Sequence, residues 1–266
     1  MKFLVVMYNE AKKQHKNNYI SYEQYFSLLI WPFILLCNSY YSYRPFITEG
    51  FMSYFTTREL IFFLVTGHVC YICFWSMVET AWDLEYERYS GTLEVLFLSS
   101  ANKLAVIYGR ALSAVIQICW LYMVICIGYF LLIGEVNFSI ILQSLLVFLV
   151  LCVSSVIWGG LLNTIFLFSR DATFLVNILD EPMVLFSGVR VPIEIMPIWV
   201  KLISSIYPLT HVLSFVRTLF NSQSNSLDIR QLAILSILLI MTVIATAKLV
   251  GLAERKNRLS GEFNFY

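Results

Sequence analysis

The sequence predicts an all-α membrane protein with six transmembrane helices, and three observations carry that expectation. Apolar residues make up 59% of the 266 residues and charged residues 13%, against roughly 25% charged in a typical soluble domain. With a mean hydropathy of +0.75, the chain has too few charges to cover a soluble surface, so most of its solvent is lipid. Several runs of about 20 residues carry no charge at all, the length a helix needs to cross a bilayer. The charges that remain cluster between those runs. A net charge of +1 with no basic block disfavours a nucleic-acid partner, and the hydropathy disfavours disorder. All six cysteines lie inside apolar runs, which disfavours a secreted disulfide scaffold.

The chain reads as one membrane domain, 1–266, in this order. Residues 1–24 hold Phe3, Leu4, Met7 and Tyr8, then Lys12, Lys13 and Lys16, the pattern of an amphipathic helix lying on the inner leaflet with its lysines toward lipid head groups. A frayed basic anchor is the plainer alternative. The apolar stretch 3–7 is too short for the core of a signal peptide. Residues 25–43 form the first span, with Pro32 tolerated as a kink. Residues 60–78 form the second, and 111–133 the third, with Lys103 and Arg110 marking its entrance. The charge-free run 136–169 is longer than one perpendicular helix requires, with its span set at 140–168. From 172 to 219 the sequence is apolar but broken by Asp180, Glu181, Pro182, Gly188, Pro192, Pro197 and Pro208. One span, 172–189, followed by a re-entrant outer hairpin accounts for this better than two full spans. The last span is 231–253.

Six spans put both termini on one side. If that side is the cytoplasm, inner segments hold 12 of the 18 basic residues and outer segments 6, as the positive-inside rule requires. Both termini are therefore expected in the cytoplasm, and the expected location is a cytoplasmic membrane, taken as bacterial on other grounds than charge. Cys70 and Cys73 make a C-x-x-C, but no second pair exists to complete a zinc site. They read as small apolar residues of a membrane helix.

The most informative stretch is the inner connection between spans two and three. Its charged half, Asp83, Glu85, Glu87 and Arg88, ends at Ser90-Gly91, a turn or helix N-cap. Residues 92–98 read as two helical turns, with Glu94 in the first turn and Leu93, Leu96 and Phe97 on one face. Such a helix could rest on the lipid interface or plug into a partner protein.

The run Glu87-Arg88-x-x-Gly91-Thr92-Leu93-Glu94-x-Leu96 resembles the inner-loop signature of ABC type-2 transporter permeases. That family includes bacterial exporters of drugs, peptides and cell-surface glycans, and the eukaryotic subfamily G half-transporters. A second block, Ser187-Gly188-x-x-x-Pro192-x-x-x-Met196-Pro197-x-Trp199 and then Pro208-Leu209-Thr210-His211, is similar to the family's outer re-entrant segment. The order and spacing match along essentially the whole chain. Many members carry Pro shortly after the inner helix, where this chain has Ser100-Ala101.

The resemblance implies a coupling helix seated in a groove on an ATPase subunit, with Glu87, Arg88, Gly91, Thr92, Leu93, Glu94, Leu96 and Phe97 forming or supporting that contact. The chain has no G-x-x-x-x-G-K-[ST], so no nucleotide-binding loop of its own. ATP and magnesium would bind the partner, an ABC ATPase in two copies. A second permease subunit is implied too, identical or different. The chain itself would be a transport subunit rather than an enzyme, moving a drug, peptide, lipid or glycan out of the cytoplasm. Gly188, Pro192, Pro197, Trp199 and Pro208 would build the outer mouth.

Asp180 and Glu181 lie at membrane depth. At ~1.5 Å per residue, Asp180 is about 13 Å along a helix that starts near Ala172. A charge there costs about 2.5–3.5 kcal/mol on insertion scales, so it faces a cavity or a partner. On one reading Asp180, Glu181 and Pro182, with His68 of span two, belong to the translocation path and attract cationic or polar cargo. On the other, a carboxyl is protonated by burial or paired with His68, and buttresses the bundle. Two other functions fit six spans: an ion-coupled carrier or channel, which needs no coupling motif, and an intramembrane serine protease. The protease reading needs a G-x-S-G turn, whereas Ser187-Gly188 follows Leu185-Phe186 and His211 lies in the outer segment.

Overall fold

The computed structural model describes residues 2–18, 22–48, 57–92 with 95, 99–133, 138–168, 172–220 and 229–260. Among them there is no strand. The helices are α1 (Lys2–Asn18), α2 (Tyr22–Thr48), α3 (Thr57–Tyr89), α4 (Lys103–Ser113), α5 (Val115–Ile133), α6 (Phe138–Phe168), α7 (Ala172–Phe186), α8 (Ile198–Ser204), α9 (Pro208–Phe220) and α10 (Ile229–Ser260). The chain is an all-α protein with helices fit to cross a membrane.

Helix α3 is the axis of the bundle. Its 33 residues extend about 50 Å at ~1.5 Å per residue, well past a ~30 Å hydrocarbon core. The expected span 60–78 therefore continues without a break through Glu79, Asp83 and Glu87. Of its apolar stretch 72% is buried, against 17% for α10, so α3 is central and α10 peripheral. Phe74, Met77 and Leu84 of α3 meet Leu151, Leu162 and Phe166 of α6 in the main core. Gly159 admits the Met77 side chain and Gly160 admits the Tyr108 ring, the close approach that small residues permit between membrane helices. A Thr80–Asn163 hydrogen bond of 3.1 Å joins α3 to α6 within the bundle. The outer faces of α6 and α10 stay apolar and exposed, with Leu142, Leu145, Leu149, Ile237, Ile240 and Ile244 presented outward.

The third helical run begins earlier than the hydropathy suggests. Asn102 caps α4 by accepting from the Ala105 N–H at 3.3 Å, and α4 passes into α5 with only Ala114 between them. Arg110 accordingly lies inside the helix, 1% exposed, rather than at an entrance. Among the described residues, four helical stretches are long and apolar enough to cross a membrane, and five if α8 and α9, bent by 96° at their junction, count as one. The sixth and fifth expected spans fare differently. Residues 231–253 lie within α10, whereas α7 has only 15 residues. Helix α2 has 27 residues but carries Pro32 and Pro45, and its second half is rich in Tyr, Ser and Asn.

The prolines of the broken region start elements rather than merely interrupt them. Pro192 precedes the short 3-10 turn Ile193–Ile195, Pro197 precedes α8 and Pro208 opens α9, positions where the missing N–H costs nothing. Gly188, at φ +79°, ends α7 in the left-handed region.

Candidate functional site

Two polar assemblies stand out, one at the Glu87 end of α3 and one near its middle, at Tyr71. At the Glu87 end, α1 docks on α4. Gly109 makes the fit possible, since a methyl there would stand 2.6 Å from the Met7 carbonyl and 3.0 Å from the Glu10 Cβ. Helix α1 buries Glu10 and Gln14 against the bundle and leaves Leu4, Val5 and Tyr8 exposed, together with Lys12, Lys13 and Lys16. Buried at the contact, Arg110 donates to Glu87 and, at 3.4 Å, to Glu10. Gln14 donates to both carboxylates at 2.9 Å, and Lys13 reaches Glu87 at 3.1 Å. Two cations and two carboxylates from three helices thus balance. Burial alone would raise the Glu87 carboxyl, but Arg110, Gln14 and Lys13 more than offset it and hold it below its ordinary value.

Above this junction the chain turns. Ser90 and Thr92 hydroxyls donate to the Glu87 carbonyl at 3.1 and 3.2 Å, and Gly91 takes φ +71° with open space around it. An open cleft of about 460 Å³ between α1 and the end of α3 is lined by Lys13, Gln14, Asn17, Asp83, Tyr86 and Glu87. Glu87 is therefore turned into the chain, supporting the turn rather than projecting from it. Arg88 occupies the last turn of α3. Leu93, Glu94, Leu96 and Phe97 lie outside the described residues.

Farther along α3, the Tyr71 hydroxyl donates to Asp180 at 2.8 Å. His68, one turn away, is the partner that one of the alternative readings of the sequence names. His68 instead sits with Nδ1 2.9 Å from the Leu64 carbonyl and Nε2 3.3 Å from the Ser39 hydroxyl. That geometry assigns the proton to Nδ1 and lets Nε2 accept from Ser39, so His68 ties α3 to α2. Glu181 is exposed on α7 and Pro182 half-buried. Pro182 leaves α7 helical on both sides of it.

At the other end, Trp199 packs edge-on against Phe186 at 6.1 Å and is 59% exposed. His211 faces the Ser205 carbonyl at 3.0 Å across the bend between α8 and α9.

Glu10, Gln14, Arg110 and Tyr71 are what sequence reasoning missed. A faint signal existed: Glu10 and Gln14 share one helical face, and Arg110 lies amid apolar neighbours. Among the described residues, no three His, Cys, Asp or Glu side chains converge as a metal site requires. The sequence matches no known protein-family model and no curated protein.

Proposed function

We propose that this chain is the membrane-spanning subunit of an ATP-driven exporter of the ABC type-2 kind, working with a separate ATPase and a second permease subunit. In this reading α2 and α7 complete six spans, the ends near α1 lie in the cytoplasm, and residues 92–98 form the coupling helix. The observation that carries it is the junction at Arg110. It fastens α1, α3 and α4 together directly beneath the Ser90-Gly91 turn. A push on the segment after Gly91 is then delivered to the base of α3, a single helix that crosses the bundle and touches α7 at Asp180. A coupling element needs such a rigid foot, and a segment that merely rests on lipid does not.

Glu181 and Asp180 would line the translocation path, Asp180 oriented by Tyr71. Cargo is a drug, peptide, lipid or glycan, and the two carboxylates favour a cationic or polar one. Affinity purification of the tagged chain in mild detergent is expected to bring down an ABC ATPase. Glu94→Arg and Leu96→Asp should each abolish that capture while the protein still inserts. An ion-driven carrier would purify without an ATPase and be indifferent to both changes. Transport at the wild-type rate in a chain carrying Asp180→Asn with Glu181→Gln would remove the two carboxylates from the path.

A further inference from the structure

Arg217 sits in an apolar stretch of α9, between Phe215-Val216 and Leu219-Phe220, where an arginine is expensive. Nothing in the pattern of α9 requires it, so the question is what its guanidinium holds. Nη1 donates to the Gly188 carbonyl at 3.0 Å and Nη2 to the Phe63 carbonyl at 3.2 Å. Its Cζ lies 3.7 Å from the centre of the Phe63 ring, face-on. One planar group therefore joins three pieces of chain: α9, the turn after α7, and α3.

The socket is built around two glycines. Gly188 needs its left-handed φ of +79° to end α7 and present its carbonyl, and a side chain there would stand 2.7 Å from Ile193. At Gly67 a methyl would run into the Val189 carbonyl and stand 3.3 Å from Arg217 Nη2. The turn and the guanidinium thus pack on α3 only because residue 67 lacks a side chain.

No carboxylate is within ion-pair distance of Arg217 among the described residues, and its buried Nε has no acceptor. Two carbonyls and a ring repay only part of the cost of taking this charge out of water. A leucine or methionine would fill the site with no such cost. The guanidinium is therefore held less firmly than one paired with a carboxylate.

We propose that Arg217 is a releasable latch: in the state described here it pins the hairpin of α8 and α9 onto α3, and its release opens that end of the bundle. This does not depend on the exporter reading, since any protein whose far end opens could use it. Cys70, one turn from Gly67 on α3 and 2% exposed, is a native reporter beneath the latch.

The test uses the full-length chain in lipid nanodiscs, both faces accessible, with Cys37, Cys73, Cys119, Cys126 and Cys152 changed to alanine. A charged maleimide is applied and the labelling rate of Cys70 followed by mass spectrometry. Losing two carbonyl hydrogen bonds shifts an open–closed equilibrium about tenfold or more. Arg217→Gln should therefore raise the rate by about that factor, and Arg217→Lys by less. Gly67→Ala should raise it with Arg217 intact. Wild-type labelling in folded Arg217→Gln or Gly67→Ala would overturn the latch. So would a failure of both Arg217→Gln and Arg217→Lys to fold, which would make Arg217 a strut.

Discussion

Arg110 and Arg217 are the same side chain in opposite surroundings, the first fully buried and the second partly so. Arg110 is 1% exposed and meets two carboxylates from α1 and α3. Arg217 meets two backbone carbonyls and an aromatic face. The first charge is neutralised, so removing one member strands the others. The second is only solvated, so removing it strands nothing charged. The contrast separates the proposed strut from the proposed latch: in that reading the end of α3 that transmits force is fastened by ions, and the end that opens is held by dipoles.

Arg110→Ala tests that contrast most severely. It leaves the buried Glu10 and the partly buried Glu87 without their shared guanidinium, which should cost up to about 3–5 kcal/mol. Arg217→Ala should cost only about 1–3 kcal/mol, the loss of its hydrogen bonds. Thermal unfolding in one detergent would rank them, and equal losses would erase the distinction. Replacing Arg110 by Met together with Glu10→Gln and Glu87→Gln should recover much of the loss, because no charge is then stranded.

Gly109→Ala comes next. A methyl against the Met7 carbonyl and Glu10 should cost about 1–3 kcal/mol, as overpacking does, and lift α1 from α4. Protease cleavage within α1 should quicken while the far end keeps its resistance. Cleavage at the wild-type rate would mean that α1 does not depend on this close approach.

Acidification probes the same difference without mutation. Glu87 has a carboxyl held below its ordinary value of 4.5. Its contribution to stability is therefore fully present above that value and is lost as the pH falls through the depressed folded value, because the unfolded chain takes up the proton first. Hydrogen exchange in α1 should accelerate across that window. Among the described residues Arg217 has no carboxylate within ion-pair distance, Glu194 acting on it only from farther away, so exchange in α9 should follow much less. Parallel acceleration in both helices would contradict the ion-against-dipole account.

Hydropathy locates the long apolar helices. The charge-free stretches 60–78 and 140–168 lie inside α3 and α6, and 231–253 inside α10. The place of Arg110 is not legible this way, because a charge in an apolar run looks like a boundary and its partner Glu10 lies 100 residues away. No periodicity reaches that far. Asp180 was legible as a charge at membrane depth, but its partner was not: Tyr71 and His68 lie one turn apart on the same helix, and only packing decides between them. The prolines at 192, 197 and 208 were read as interruptions. Proline stops one helix and starts the next with the same ring, and sequence alone does not say which use dominates.

The smallest prediction concerns Lys13, which shares Glu87 with Arg110. Its side chain is 47% exposed, whereas that of Arg110 is 1%. Exposed pairs are worth about 0.2–1 kcal/mol and fade with salt, because water screens the attraction and a long side chain must be held still. Lys13→Ala should therefore lower the thermal midpoint slightly at low ionic strength, and the deficit should vanish in high salt. The loss from Arg110→Ala should persist, since no mobile ions reach that pair. A Lys13 deficit that survives salt would mean Glu87 needs both cations. The junction would then behave as one network closed by its outermost charge, and α1 would be held through Lys13 as firmly as through Arg110.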